Sequence, residues 1–346
     1  MENRVILNNA EIKELGRRGI LVSNNASPIT TPNINTPFAT PLTYIAPNAV
    51  SVLVAPRQFE KLGGELEKNG SWGQDSVTIK LKEYTSRVKA YTAGNSAVMG
   101  GPTSDVNVSG ETRGVYYYEN CWNADDQEVA SAGFFNENLL RDKAEASMLA
   151  IAIERNAVNF LGKEQKGSGK LAVKGLFTDY TDNNTIAVVK ANGSSKTQWK
   201  DKTPEEIFND IVDMVNALNT KSDGNSLQAF NGGKKYNIGI ANKCIGQLDR
   251  TNQYGLSVRA KLKEAYGDSL NIVNIPELDA FASGDACAFI SIDGEDNVKT
   301  FKGSYVELAR AFQIDRLGST TSQKIASAIS GCVIQRPLLT YMVKGI

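Results

Sequence analysis

Histidine is absent from all 346 residues. Without imidazole there is no Ser-His-Asp or Cys-His arrangement, no His-Glu-x-x-His zinc site and no ordinary neutral-pH general base. Carboxylate and lysine chemistry stay open. Cysteine is scarce: Cys121, Cys244, Cys287 and Cys332 are the only four, and none forms a Cys-x-x-Cys pair. Zinc-ligand spacing is therefore missing. The four are expected to be free thiols used as small apolar residues in a reducing compartment. Neither sign of charge is in excess, with 38 Lys plus Arg against 38 Asp plus Glu. No net field draws the chain onto DNA or acidic lipid. No run approaches the ~20 apolar residues of a membrane helix. Met1–Arg18 is polar and lacks the apolar core of a signal peptide, so a cytoplasmic location is expected.

What is present suffices for a packed core: 41% of residues are hydrophobic and 22% charged. The length allows one large domain or two to three modest ones. Residues 1–20 carry a short helical pattern with Ile12 and Leu15. From 22 to 56 the text changes, with Pro28, Pro32, Pro37, Pro41, Pro47 and Pro56 among Asn and Thr. Proline at that density forbids regular helix and favours extended chain, which cannot bury itself. This stretch reads as an arm lying across another surface.

Residues 75–118 read as a long hairpin. Val77, Ile79 and Leu81 alternate with Thr78, Lys80 and Lys82, the period of a half-buried strand. Apolar Tyr84 and Val88 shift the phase, which predicts a bend or bulge. A Gly/Ala/Ser loop spans 93–104, and the chain returns through Val106, Val108 and Val115 to Tyr118. An isolated hairpin is marginal in water, so it needs a partner surface.

Asn123 is expected to cap a short acidic helix with Asp125, Asp126 and Glu128 in its first turn. A long helix follows from about Asn136 to Leu161, closed by Gly162. Leu140, Ala144, Met148, Ile151, Ala152 and Val158 mark its inner face, so Met148→Asp is expected to harm folding. Gly162 and Gly167 have a phosphate-loop offset, but Ser168 stands where Lys is required and a helix precedes. A solvated connection is the reading. Gly175–Asp182 reads as a turn before a strand at Ile186–Val189. Thr203-Pro204-Glu205-Glu206 is a capping box with proline at the first helical position, and Ile207, Ile211, Val215 and Leu218 form the inner face. Strands are expected at Tyr236–Ile240, Leu270–Val273 and Cys287–Ile292, a helix at Ser257–Tyr266, and a hairpin turn at Asp293-Gly294 leading to Val298–Phe301. The Asp293 region lacks EF-hand spacing. Tyr305–Ile346 is strand-like, with Ile325, Ile329, Val333 and Ile334 buried. No residue qualifies as catalytic, cofactor-binding or metal-ligating.

Arm and hairpin together decide the class. Ordering them costs roughly 1–2 kcal/mol per residue in backbone entropy, and only neighbouring copies offer the strand pairing and burial to offset it. The chain is built for head-to-tail assembly. In this order of elements it resembles the Hong Kong 97-type capsid proteins of tailed bacteriophages. The Thr-Pro-Glu-Glu-Ile start with Asn216-Ala217-Leu218 is similar to the helix opening that family's axial domain. Asn271–Leu278 and the strand Cys287–Ile292 resemble its late strand pair. Gln335-Arg336-Pro337-Leu338-Leu339 with Tyr341 and Gly345-Ile346 resembles the ending of one branch.

The resemblance implies an α+β capsid fold with an N-terminal arm (1–70), an extended loop hairpin (71–120) and a peripheral domain with a spine helix (121–202). An α/β axial domain (203–303) and C-terminal return strands shared by the peripheral and axial domains (304–346) would complete it. It implies no enzyme activity and no cofactor. It implies a major capsid protein forming hexamers and pentamers of an icosahedral virion shell around double-stranded DNA, assembled in a host bacterial cytoplasm. Its partners would be further copies, with scaffolding, portal and decoration proteins, non-specific contact with packaged DNA, and no membrane. Some relatives cross-link Lys to Asn between subunits. Lys80, Lys82 and Lys89 lie in the corresponding element, but no motif fixes a partner, and solvated lysines are the default. Two alternatives stand beside this: an encapsulin-like compartment shell on the same fold, and a carboxylate-based hydrolase, which needs two carboxyl groups about 5–10 Å apart in a cleft.

Overall fold

The computed structural model describes residues 57–85, 105–134, 138–164, 172–193, 195–222, 235–279, 281–282, 284–293 and 299–346. The pattern around Ile12 and Leu15, the proline-rich stretch 22–56, Val88, Lys89 and the loop 93–104 lie outside them.

In chain order the elements begin with β1 (Glu65–Lys68), β2 (Ser76–Thr85), β3 (Asp105–Gly114) and β4 (Tyr116–Asp125). Helices α1 (Asp126–Phe134) and α2 (Leu139–Leu161) follow. Next come β5 (Gly162–Lys163), β6 (Val173–Lys174), α3 (Leu176–Asn183), β7 (Ala187–Val188) and α4 (Pro204–Lys221). The second half holds β8 (Tyr236–Ala241), α5 (Val258–Tyr266), β9 (Leu270–Ile275), β10 (Cys287–Ile292), β11 (Phe301–Leu317), β12 (Thr320–Ile334) and β13 (Thr340–Lys344).

Two larger sheets organise these strands. A five-stranded sheet has the order β7-β13-β10-β8-β9, and a four-stranded sheet the order β1-β11-β12-β4. In the first, all six residues of β8 and all six of β10 are buried. Their sequences, YNIGIA and CAFISI, run nearly continuously apolar because both faces are covered. Helix α4 supplies one cover through Ile207, Ile211, Met214, Val215 and Leu218. Its expected capping box is present: Thr203 Oγ1 accepts from Glu206 N at 3.3 Å, and Thr203 N donates to Glu206 Oε2 at 2.8 Å. The same core contains Phe160 stacked on Phe177, ring centres 5.2 Å apart, and the buried Trp199 and Tyr180.

The four-stranded sheet packs its other partner, α2, through Trp122, Ala124, Ile151 and Ile325. Helix α2 has 23 residues, about 34 Å at 1.5 Å per residue. Asn138 caps it, accepting from Arg141 N at 3.3 Å. Gly162 ends it at φ +76°, where a Cβ would sit 2.4 Å from Val173 O, so only glycine fits.

Several expectations need correction. Met148 is 49% exposed; the inward position is taken by Ser147, whose hydroxyl donates to Asn120 Oδ1 at 3.3 Å. Asn123 is not a cap but a strand residue paired with Ser322, because the β4–β12 ladder continues to Asp125. Asp125 directly precedes the helix, its Oδ1 accepting from Asp126 N at 3.0 Å. Gly175–Asp182 is not a turn: it lies largely in α3, whose Leu176, Phe177 and Tyr180 enter the core. Within the described part of β2 the pairing with β3 keeps one register from Ser76↔Gly114 to Thr85↔Asp105, and the remainder of the expected bend, toward Val88, lies outside the described residues. The register shifts occur in the β11–β12 pair instead. The return strand breaks at Val115, between β3 and β4. The expected turn at 294–298 lies outside the described residues, and beyond it β11 pairs with β12 and β1 in the other sheet rather than with β10. Three cysteines are buried as expected, but Cys121 is exposed.

Candidate functional site

The β2–β3 hairpin is the most distinctive surface element. Among the described residues its strands of ten residues each pair only with one another. Val106 and Val108 on β3 are 48% and 61% exposed. Lys80 on β2 is exposed as well. Between β2 and the four-stranded sheet lies a cleft of about 330 Å³, lined among others by Glu67, Lys80, Lys302 and Gln335. Thus one side of the hairpin lacks close packing along much of its base.

Two anchors hold the hairpin root. The first is buried. Arg113, at the end of β3, donates to Asp179 Oδ1 at 2.6 Å, to Glu111 Oε2 at 3.2 Å and to the carbonyl of Cys332. Asp179, in α3, also accepts from Ile334 N at 3.0 Å. Arg113 and Asp179 are each 2% exposed. The second anchor lies nearer the surface. Tyr117 donates its hydroxyl proton to Gln74 O at 2.9 Å and accepts from Gly73 N at 3.0 Å. Trp72 meets the Tyr117 ring edge-on at 5.2 Å, and the Arg310 guanidinium lies 5.4 Å from the Trp72 ring centre.

Two other extremities expose apolar side chains. At the end of the β11–β12 pair, Ile314 is 54% and Leu317 86% exposed. Before α5, Asn252 Oδ1 accepts from Tyr254 N at 2.9 Å and Leu256 N at 3.1 Å. This holds a turn that presents Tyr254 to solvent.

The interior polar groups are structural staples. Lys202 donates to Asp210 Oδ2 at 2.6 Å and to Lys190 O at 2.7 Å, and Trp199 Nε1 donates to the same Asp210 oxygen at 3.0 Å. Burial pushes the Asp210 carboxyl above its ordinary value, against the pull of Lys202. Asn156 of α2 donates to Glu277 Oε1 at 2.7 Å and accepts from the amides of Gln58 and Phe59. Burial raises Glu277 too. Among the described residues no group of three or more Cys, Asp or Glu could hold a metal. No helix among them is long and apolar enough to cross a membrane.

Sequence reasoning missed Arg113 and Asp179, which stand 66 residues apart. An arginine closing a strand carries no local sign of its burial.

Comparison with known proteins now bears on this geometry. The model of the family described as Pa193 gp26 major capsid protein matches residues 27–345. No curated protein matches by sequence. The capsid of the Myoviridae phage XM1 superposes with a TM-score of 0.65 at 12% identity, covering 89% of this chain and 98% of that one. The capsid of a native GTA particle gives 0.56 at 11% identity, covering 87% and 94%. Mycobacterium phage Bobi gives 0.52 at 11% identity, covering 88% and 96%. The fold is the Hong Kong 97 type found in phage capsids. With a family match across 27–345, the chain belongs to the Pa193 gp26 major capsid protein family.

Proposed function

We propose that copies of this phage major capsid protein assemble as hexamers and pentamers into an icosahedral shell around double-stranded DNA, in the cytoplasm of a bacterial host. Residues 1–70 are assigned to the arm, although Phe59 and Leu62 sit in the core and β1 pairs with β11 of the same chain, and 71–120 to the extended hairpin laid on a neighbour, of which 116–120 already belong to β4 in the four-stranded sheet. Residues 121–202 form the peripheral part with α2 as its spine, 203–303 the axial part, and 304–346 the returning strands. The observation that carries this reading is the hairpin: a two-stranded sheet outside both larger sheets, with Val106 and Val108 exposed. Such a pair is marginal in water by itself. Burial against a neighbour returns about 25 cal/mol per Å² of apolar surface. No catalytic role is assigned to the chain. Scaffolding, portal and decoration proteins belong to the same proposal, as does non-specific contact with packaged DNA. A bacterial compartment shell is the second reading, and the family match favours the phage one. Electron microscopy of the purified chain tests the proposal: closed shells with five-fold and six-fold capsomers are expected. A stable monomer at high concentration, without shells, would refute it.

A further inference from the structure

We propose that the buried Arg113–Asp179 pair is a positioning device that fixes the direction of the β2–β3 hairpin, and that shell formation depends on that direction. The second half of this inference rests on the hairpin being an inter-subunit element.

Among the described residues no ladder hydrogen bonds join the β2–β3 hairpin to either larger sheet. Its connection to β4 is the single residue Val115, at which the chain changes sheets. Behind β2 the cleft leaves it without close support. Direction must therefore be set at the root.

Arg113 stands two residues before that joint. Its guanidinium is planar, and donors fixed in a fork define an orientation, which a flexible ammonium does not. The fork reaches α3 through Asp179 and β12 through the Cys332 carbonyl. Asp179 spends its second oxygen on Ile334 N, so it cannot swing freely. The pair thus joins β3, α3 and the end of β12 at one point. The Trp72–Tyr117 contact holds the other side of the root but is only half-buried.

Energetics separates positioning from mere stability. A buried ion pair loses in desolvation much of what it gains in attraction. Apolar substitutes for both partners avoid an unpaired buried charge, at the cost of the Ile334 amide and Cys332 carbonyl losing these partners, and they lose the fork and with it the orientation. A hairpin left free must be ordered at assembly, and that cost falls on subunit association.

The test uses the full chain with spin labels at Cys121, the one exposed native thiol, and at Val108→Cys. The parent is compared with Arg113→Met/Asp179→Leu and with Arg113→Lys. In unassembled subunits the parent should give one narrow distance distribution. The double variant leaves Ile334 N and the Cys332 carbonyl without these partners, so its denaturant midpoint should fall, yet under conditions where it is fully folded it should give a distribution at least about twofold broader. In label-free chains its shell yield should fall about tenfold or more, which corresponds to about 1.4 kcal/mol. Arg113→Lys keeps the charge and loses the fork, so it should broaden the distribution as well, and it decides the matter if the double variant does not fold. A narrow distribution in a folded variant would overturn the positioning role. A broad distribution with normal shells would instead overturn the inter-subunit role of the hairpin, leaving the lock itself in place.

Discussion

Replacing Asn156 by alanine should be among the most damaging single changes in α2. The side chain is 7% exposed. Its Oδ1 accepts from Gln58 N at 3.2 Å and Phe59 N at 3.3 Å, and its Nδ2 donates to Glu277 Oε1 at 2.7 Å. One amide thus joins α2, the chain entering β1, and the turn after β9. Phe59 lies just behind, its ring centre 5.6 Å from Phe160 and 5.7 Å from Phe301. Alanine leaves two backbone donors and a carboxylate without these partners. A buried orphan costs about 1–3 kcal/mol, and water entering the vacated space recovers part of it. A net loss of about 3–5 kcal/mol is expected, set against a total of about 5–15 kcal/mol for a folded domain. Urea unfolding of the unassembled subunit, followed by tryptophan fluorescence, measures it. A loss under about 1 kcal/mol would refute the reasoning.

Glu277 gives the same junction a pH signature. Burial raises its folded-state pKa above the ordinary carboxylate value. The folded state therefore keeps the proton between the unfolded and folded pKa values. In that window stability falls as pH rises. Glu277→Gln keeps an acceptor for Asn156 and should remove this slope; an unchanged slope would assign it to another group.

Two further predictions concern exposure. Burial pushes the Cys244 and Cys287 thiols up to about 11 and Cys332 well above its ordinary range, whereas Cys121 is exposed. Maleimide at neutral pH should therefore modify one thiol per folded subunit and all four only in denaturant, and rapid native labelling of more than one would contradict the burial. Met148→Asp, at a side chain 49% exposed, should change the unfolding free energy by no more than about 0.5 kcal/mol; a loss above about 2 kcal/mol would return Met148 to the core.

Legibility in the sequence followed the range of the interactions. The capping box at Thr203, the nearly continuous apolar strands Tyr236–Ala241 and Cys287–Ile292, and the glycine stop of α2 are written in neighbouring residues, and each is readable there. The errors arose where a distant partner decided the outcome. Asn123 looks like a cap, but ten cross-strand pairs with β12 extend β4 past it. Met148 and Ser147 are adjacent on the helix, and hydrophobicity favours the methionine. The partner at Asn120 draws the serine inward instead. Asp293 looks like a hairpin turn because a strand follows, and nothing nearby says that the strand belongs to the other sheet. The Arg113–Asp179 pair is the extreme case, since neither residue marks its burial locally.

The distribution of burial explains why a shell subunit would keep such polar staples. The main core gathers around the five-stranded sheet and reaches Phe59, Phe160, Phe301 and Cys332 at the base of the other. Farther along the four-stranded sheet only small clusters remain, such as Val115, Val306 and Ala328 beneath the hairpin root. Apolar packing is non-directional, so a cluster of three buried residues can hold the root in place without choosing its angle. A buried guanidinium bonded to a carboxylate and a carbonyl has far fewer satisfactory geometries, because rotation breaks its bonds to Asp179 and to the Cys332 carbonyl. Where the core is thick, orientation follows from packing. Where it thins toward an extremity, orientation has to come from directional bonds, and Arg113 sits at that transition.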